Sequence, residues 1–573
     1  MTELPVRPPR QFLPESFTIT DFNSVKAYTD RLLDRPLTDA ISLRRWLTDR
    51  SELEAVLAED FGWRYIHMTC ETENQEYLKR YQEFIETIQP HLAVVADQLN
   101  RKVLDCPYLT ELEHEEGYDI MIRSMRKEVE IYREENVPLF TELNTLAQQY
   151  ARISGAMTVE IDGQEMTLQQ ASVILQETDR NRREKAWRTI TERRLKDSAE
   201  LDDLFTRMVR LRHQVAVNAG FSNFRDYMFK SLGRFDYTPQ DCVEFHESVS
   251  SEVVPLLAKL AAVRKDRLGV EALRPWDKAV DEEGRAPLKA FDGGKDLLER
   301  SIRVFSRLDP YLGQCLDVMR EMGHLDLESR KGKAPGGYNY PLAEIGVPFI
   351  FMNATSTLRD LTTLMHEGGH AVHNFLTRDL LLQEFKSPPM EVAELASMSM
   401  ELMTMDLWDE FFSGTDDLRR ARLEQLEDII ETLPWVATID SFQHWIYEHP
   451  EHSADERRAA WRSILSRFSD GLTDWSGLEN AMDFLWQKQL HLYEVPFYYI
   501  EYGMAQLGAV AIWRNYRMDP AKALAGYKQA WSLGYLKGIP EIYAAAGIRF
   551  SFTKDYIREL TGFLSAELGA IKG

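Results

Sequence analysis

Cysteine and long apolar runs are scarce in this chain, and basic residues are outnumbered by acidic ones. Only four of its 573 residues are cysteine: Cys70, Cys106, Cys242 and Cys315. They lie far apart with no CxxC pair, which excludes a disulfide-stapled scaffold and reads as buried thiols. Lys and Arg number 68 against 92 Asp and Glu, a net charge of −24. That balance cannot neutralise a phosphate backbone, so nucleic acid is excluded as a partner and the acidic excess reads as a solvated surface. The most apolar late stretch, "GMAQLGAVAIW", is far short of the ~20 residues that cross a bilayer. The opening "MTELPVRPPRQFLPES" lacks the apolar core of a signal peptide. A cytoplasmic protein with no membrane partner is expected.

What is present points to a large helical body. Hydrophobic residues make up 44% and charged residues 28%, a globular balance, and the length calls for at least two lobes able to enclose a cleft. Apolar residues recur at spacings of three and four in "RLLDRPLTDAISLRRWL", "QEYLKRYQEFIETIQPHLAVVADQL" and "LDDLFTRMVRLRHQVAV", so the class is mainly α. Residues 157–168, "MTVEIDGQEMTL", form the first strand signal, with Asp162-Gly163 suited to a tight hairpin turn. Thr167 and Gln170 then make a capping box that opens a helix through "LQQASVILQETDRNRREKAWRTI". Residues 275–296 gather Pro, Gly and Asp and read as an exposed loop. Residues 330–353 begin glycine-rich and end in the apolar run Val347 to Met352, a second strand.

Directly after that strand comes "TLRDLTTLMHEGGHAVHNFL", helical in period, with Thr357 and Asp360 placed to cap its start. His366 and His370 are four residues apart, roughly 40° around a helix axis, so both imidazoles reach one ion. Glu367 sits beside them where it meets a water without being a ligand. This HExxH arrangement suits zinc, which acidifies a water whose proton the glutamate takes. Gly368 and Gly369 cost about 2 kcal/mol of helix propensity relative to alanine, which close packing or substrate clearance would explain. A third ligand is needed, and "SPPMEVAELASMSMELM" reads as a following helix with Glu391, Glu394 and Glu401 as candidates. Spacing alone does not choose among them. Farther on, "HLYEVPFYYIEYG" supplies His491, Tyr498, Tyr499 and Tyr502, donors of the kind that stabilise an oxyanion. The histidines of "HWIYEHPEH", His444, His449 and His452, read as surface or packing residues in a polar turn.

Taken together, the hairpin "VEIDGQEMTLQQ", "DRNRREKAW", "PFIFMNATSTLRDLTTLMHEGGHAVH", "EVAELASMSMELM" and "HLYEVPFYYIEYG" resemble the oligoendopeptidase F family of thimet oligopeptidase-like zinc metallopeptidases. The likeness runs from about residue 110 onward; residues before it carry no recognised motif, and a cap over the substrate channel is their expected use. The resemblance implies a mainly α, two-lobed zincin-like body around a deep channel, with a small β-structure beside the HExxH helix. It makes His366, His370 and Glu394 the ligands of one zinc ion per chain and Glu367 the general base. It places His373 and Glu401 behind the ligands as orienting groups, and His491 and Tyr502 as transition-state donors, with Tyr498 and Tyr499 competing for a further tyrosine role. It casts Gly336, Gly337 and Tyr338 of "APGGYNY" as a flexible substrate-binding loop, and the strand at 347–352 as the edge that pairs with an extended peptide.

The expected segments are an N-terminal helical part (1–110), a helical lobe with the small hairpin (111–200) and the zinc-peptidase region (201–573), its HExxH helix near 357–377. The expected function is zinc-dependent endopeptidase cleavage of short unstructured peptides. The rivals are a helical zinc carboxypeptidase, which would need a cationic group for the free C-terminus, and a catalytically silent peptide-binding protein.

Overall fold

The computed structural model describes residues 4–572. Helices take 69% of the chain and strands 4%, so the core is made by helix-on-helix packing and the sheets are local fittings. The mainly α class read from the apolar spacing holds. Five helices carry the argument below: α1, Pro239–Glu252; α2, Leu358–Thr377; α3, Met390–Met405; α4, Thr415–Glu448; and α5, Tyr499–Met518.

The chain forms two interleaved units. The first takes the residues up to Glu134, Lys289–Leu418 and Gly508–Phe550. The second takes Glu135–Leu288, Arg419–Leu507 and the residues from Ser551 onward. The crossings do not fall at 110 or 200. In the first unit, Trp46, Leu47, Val103, Tyr118 and Met121 share one apolar cluster with Leu382 and Phe385. The N-terminal helices thus bury their apolar faces against later segments of the same unit. In the second unit, buried arginines tie helices together: Arg457 pairs with Asp202 at 2.8 Å, and Arg212 donates to the Tyr447 hydroxyl and the Leu492 carbonyl.

The expected hairpin forms as β1 (Thr158–Ile161) and β2 (Gln164–Thr167), with Ile161 opposite Gln164. Asp162 and Gly163 both have positive φ, 55° and 77°, as a two-residue turn between twisted strands demands. The Thr167–Gln170 capping box is present, but the helix it opens is short. A second helix, Arg180–Lys196, starts afresh because the Asp179 side chain accepts from the Asn181 and Arg182 amides. The 275–296 loop is less exposed than its composition suggests: Trp276 and Asp277 are buried, and Asp277 accepts from Arg183 at 2.9 Å.

The second sheet has three strands in the order β3-β5-β4: β3, Leu325–Glu328; β4, Tyr338–Tyr340; β5, Phe349–Ala354. The apolar run near 347–352 is therefore the central strand, parallel to β3 and antiparallel to β4. That corrects its expected edge position, and burial on both faces explains its unbroken hydrophobicity. Lys333 fastens the sheet from inside. Its side chain is fully buried and donates to Asp326, to the Glu328 carbonyl and to the Met352 carbonyl. Burial alone would raise the Asp326 carboxyl, but hydrogen bonds from Arg330, Lys333 and Cys70 hold it down at about 2.

Because the folded pKa of Asp326 is depressed, its contribution to stability is complete above the ordinary value of 3.8 and is lost as pH falls toward 2. Asp326→Asn should cost about 3–5 kcal/mol at neutral pH by leaving the Lys333 ammonium buried beside a neutral amide. Denaturant titrations at several pH values check both the loss and its disappearance in acid.

Candidate active site

α2 begins where the sequence places it. Thr357 Oγ1 accepts from the Asp360 amide and Asp360 Oδ2 accepts from the Thr357 amide, closing a capping box. β5 leads into it directly. α3 follows with Pro389 at its N-cap position and is buried on nearly all sides, not on one face only. The two glycines of HEGGH resolve into packing. A Cβ on Gly369 would lie 2.6 Å from the Ser397 Cα and 2.9 Å from the Ala396 carbonyl oxygen, both backbone atoms of α3. A Cβ on Gly368 would meet the Phe305 ring at 2.6 Å. The helices touch backbone to backbone, and that proximity brings a carboxylate of α3 to the histidines of α2.

The carboxylate is that of Glu394. Its Oε2 lies 3.2 Å from His366 Nε2 and 3.7 Å from His370 Nε2. Ligand atoms of His366, His370 and Glu394 all fall within 4.8 Å of one another. Two ligands held tetrahedrally at zinc distances stand about 3.3 Å apart, so the set fits a zinc ion with little movement. The donors fit as well: two imidazoles and one carboxylate are a zinc ligand set that leaves a fourth position open. Glu394 is nearly buried, while His366 and His370 keep 19% and 16% of their side-chain surface, enough for a small molecule to approach.

Glu401, two turns along α3 from Glu394, accepts from His366 Nδ1 at 2.7 Å. That bond puts the proton on Nδ1 and turns Nε2, with its lone pair, toward Glu394. Burial opposes a charge on His366, but the bonds to Glu394 and Glu401 outweigh it and raise its pKa. His370 goes the other way, lowered by burial to about 4. Burial also pushes the Glu367 carboxyl up to about 7, the range of a group that both takes and returns a proton. The Asn339 amide of β4 donates to the Glu367 carbonyl at 3.3 Å and docks the sheet on the helix.

Two expectations change. His373 Nε2 bonds to none of the candidate ligands: it is buried without a hydrogen-bond partner, the ring lies 6.1 Å from that of Trp531, and burial lowers its pKa to about 3. Tyr338 is not part of a flexible loop: it belongs to β4, stacks on Phe351 at 4.8 Å, and its hydroxyl meets Thr69 Oγ1 at 2.6 Å. Gly336, at φ 100°, makes the turn into that strand, and Gly337 passes close under the Phe351 carbonyl.

His491 and the tyrosines form a second constellation, in the second unit. Tyr502 Oη lies 3.4 Å from His491 Nε2, and the rings of Tyr498 and Tyr499 are 5.8 and 4.9 Å from the imidazole. Motif reading missed the residue that sets this histidine's tautomer. Trp435 Nε1 donates to Gln489 Oε1 at 3.1 Å, which fixes the amide, so its NH2 group must donate to His491 Nδ1 at 2.7 Å. The ring proton is thereby held on Nε2, beside the Tyr502 hydroxyl. Arg234 also went unread. It pairs with Glu501 at 2.9 Å and donates to the carbonyl of Phe497, whose φ of 68° marks a strained turn into α5. These partners come from distant segments, and no local pattern announces them.

Residues 173–292 and 313–562 match the sequence profile of Peptidase family M3, and residues 12–132 match that of the Peptidase M3 N-terminal domain. The chain belongs to peptidase family M3. The M3 match before residue 110 extends the family beyond the motifs legible there. Similar proteins include the oligoendopeptidase F homolog of Lactococcus lactis subsp. lactis (strain IL1403), 23% identical over 56% of this chain. The oligoendopeptidase F homolog of Borreliella burgdorferi is 22% identical over 70%. The aligned part spans 53% and 68% of those two relatives. Among solved structures, PZ peptidase A with inhibitor 2 superposes at a TM-score of 0.91, with 26% identity over 98% of this chain and 99% of that one.

Alanine at the two glycines should separate the two contacts. Gly369→Ala collides with fixed backbone and should cost about 1–3 kcal/mol despite its gain in helix propensity. Gly368→Ala meets only the end of the Phe305 side chain, which can shift, and should cost less. Chemical denaturation of both variants checks the order.

Proposed function

We propose that this M3 peptidase is a zinc-dependent oligoendopeptidase that cuts internal bonds of short, unstructured peptides in the cytoplasm. The observation that carries the reading is the convergence of His366, His370 and Glu394, with Glu367 on the same helix turn and free of ligand duty. His366, His370 and Glu394 would hold the ion, and Glu401 would orient His366. When bound, zinc supplies Lewis acidity, polarising the scissile carbonyl and making a water easier to deprotonate. Glu367 takes the proton of the attacking water and passes it to the departing amine. His491 donates from Nε2, and Tyr502 from its hydroxyl, to the oxygen that gains negative charge. Tyr498 and Tyr499, both with rings near the His491 imidazole, compete for one further tyrosine role.

The peptide's backbone pairs with β4 rather than β5. Both sides of β5 are taken, whereas β4 is bonded to β5 on one side only and touches α2 through Asn339. Addition of a strand there would lay a peptide bond along the HExxH helix, with Gly336 and Gly337 leaving room at its edge. No helix among the described residues is long and apolar enough to cross a membrane, and the four cysteines are thiols, as a reducing compartment requires.

The deciding experiment uses an internally quenched peptide blocked at both ends. Wild type should cleave it, and Glu367→Gln should lose at least ~10²-fold in kcat/KM while keeping its zinc. Cleavage of free-ended peptides alone would point to a carboxypeptidase, and a zinc-free wild type, or an active Glu367→Gln protein, would end the proposed mechanism. Gln489→Leu should release the His491 proton to either ring nitrogen and lower kcat by about 2- to 10-fold with KM little changed, since the donor acts on the transition state. Steady-state kinetics on the same peptide check the split.

A further inference from the structure

A second cluster of metal-ligating side chains lies in the second unit, in a place the peptidase chemistry does not use. Cys242 and His246 are four residues apart on α1, and Asp440 and His444 are four apart on α4, so each pair shares one helix face. The two faces meet. His246 Nε2 donates to Asp440 Oδ2 at 2.8 Å, and His444 Nε2 stands 3.3 Å from the same oxygen. Cys242 Sγ, a carboxylate oxygen of Asp440 and a ring nitrogen of His444 all lie within 4.8 Å of one another. None of this reaches solvent: Cys242 and Asp440 are 0% exposed, His246 4% and His444 6%. Phe229 and Phe497 pack edge-on to His444, and Phe245 and Phe468 edge-on to His246.

Hydrogen bonding alone leaves this cluster incomplete. Both ring nitrogens of His444 and Asp440 Oδ1 are buried without a hydrogen-bond partner. The 3.3 Å approach of His444 to Asp440 is close but not aligned as a hydrogen bond; it equals the roughly 3.3 Å between two ligands on a tetrahedral ion. Buried polar atoms are nearly always satisfied, and an exception on a carboxylate and an imidazole, with a thiol within reach of both, calls for a partner that accepts their lone pairs. A divalent cation does so, and its charge offsets a thiolate and a carboxylate in an aromatic surround that would otherwise exclude them.

We infer that Cys242, Asp440 and His444 form a second metal site, with His246 holding the aspartate in place, and that it takes zinc as a buried structural ion pinning α1 to α4. Thiolate with imidazole favours zinc over magnesium or calcium, which prefer oxygen ligands alone. The site shares no residue with the His366–His370–Glu394 centre. His444 lies buried inside α4 and faces His246 of α1, rather than sitting at the surface in a polar turn.

The test uses full-length protein made in cells supplied with cobalt, so that a buried site fills during folding, alongside zinc-grown protein for elemental analysis. The expected result is two zinc ions per wild-type chain and a thiolate-to-cobalt charge-transfer band in the near ultraviolet. The centre on α2 and α3 has no sulfur ligand and cannot give that band. Glu394→Ala should keep the band and one zinc ion; Cys242→Ser should lose the band and one zinc ion. If Cys242→Ser does not fold, the wild-type and Glu394→Ala spectra decide alone. A wild-type chain with no more than one zinc ion and no charge-transfer band would overturn the inference and leave the four residues a metal-free cluster.

Discussion

The backbone contact between α2 and α3 at Gly369 underlies the whole candidate metal site. Two histidines four residues apart on one helix offer two ligands, and the third must come from elsewhere at a distance of a few ångströms. The absence of side chains at Gly368 and Gly369 lets α2 settle against Phe305 and against the α3 backbone at Ala396 and Ser397. One turn back along α3, Glu394 then points at both imidazoles. Helix propensity is given up at two positions, and a fixed interhelical distance is gained. The Tyr527 hydroxyl, donating to the Ala396 carbonyl at 3.0 Å, holds α3 from another side.

Electrostatics then sorts the groups that packing has assembled. Two carboxylates, Glu394 and Glu401, bracket His366 through its two nitrogens, whereas His370 has Glu394 alone, 3.7 Å away. The two imidazoles are accordingly driven in opposite directions. Glu367, buried among them, is pushed toward neutrality; a cation at the centre would pull it back and leave a base near neutral pH. The same logic of imposed tautomers governs His491, where Trp435 orients Gln489 and Gln489 orients the ring. In both places the partner on the far nitrogen decides which ring nitrogen carries the proton.

The legible parts of the sequence were the local ones. Capping boxes at Thr167 and Thr357, the Asp162-Gly163 turn and the HExxH spacing each depend on residues within a few positions of one another, and each forms as read. The misread parts depend on neighbours that local pattern does not name. An apolar run of six looks alike whether the strand is central or at an edge; only β3 and β4 on its two sides decide for β5. "GGYNY" has the composition of a mobile loop, yet Tyr338 is held by Phe351 and Thr69, the latter 269 residues away. His373 shares a helix with the two candidate ligands but lies a further turn along it, where its ring meets Trp531.

The sequence by itself determined the helical class, the start of α2 and the pairing of His366 with His370, because helix periodicity and capping are properties of consecutive residues. Its spacing narrowed the third candidate ligand to glutamates of one later helix, and its family resemblance singled out Glu394. Only the tertiary structure brought Glu394 to the histidines, gave Glu401 the far nitrogen of His366 and joined Cys242 and His246 to Asp440 and His444. The physical reason is common to all three. Each joins side chains from separate helices, and the distance between helices is set by which residues are small enough, or apolar enough, to let the backbones close.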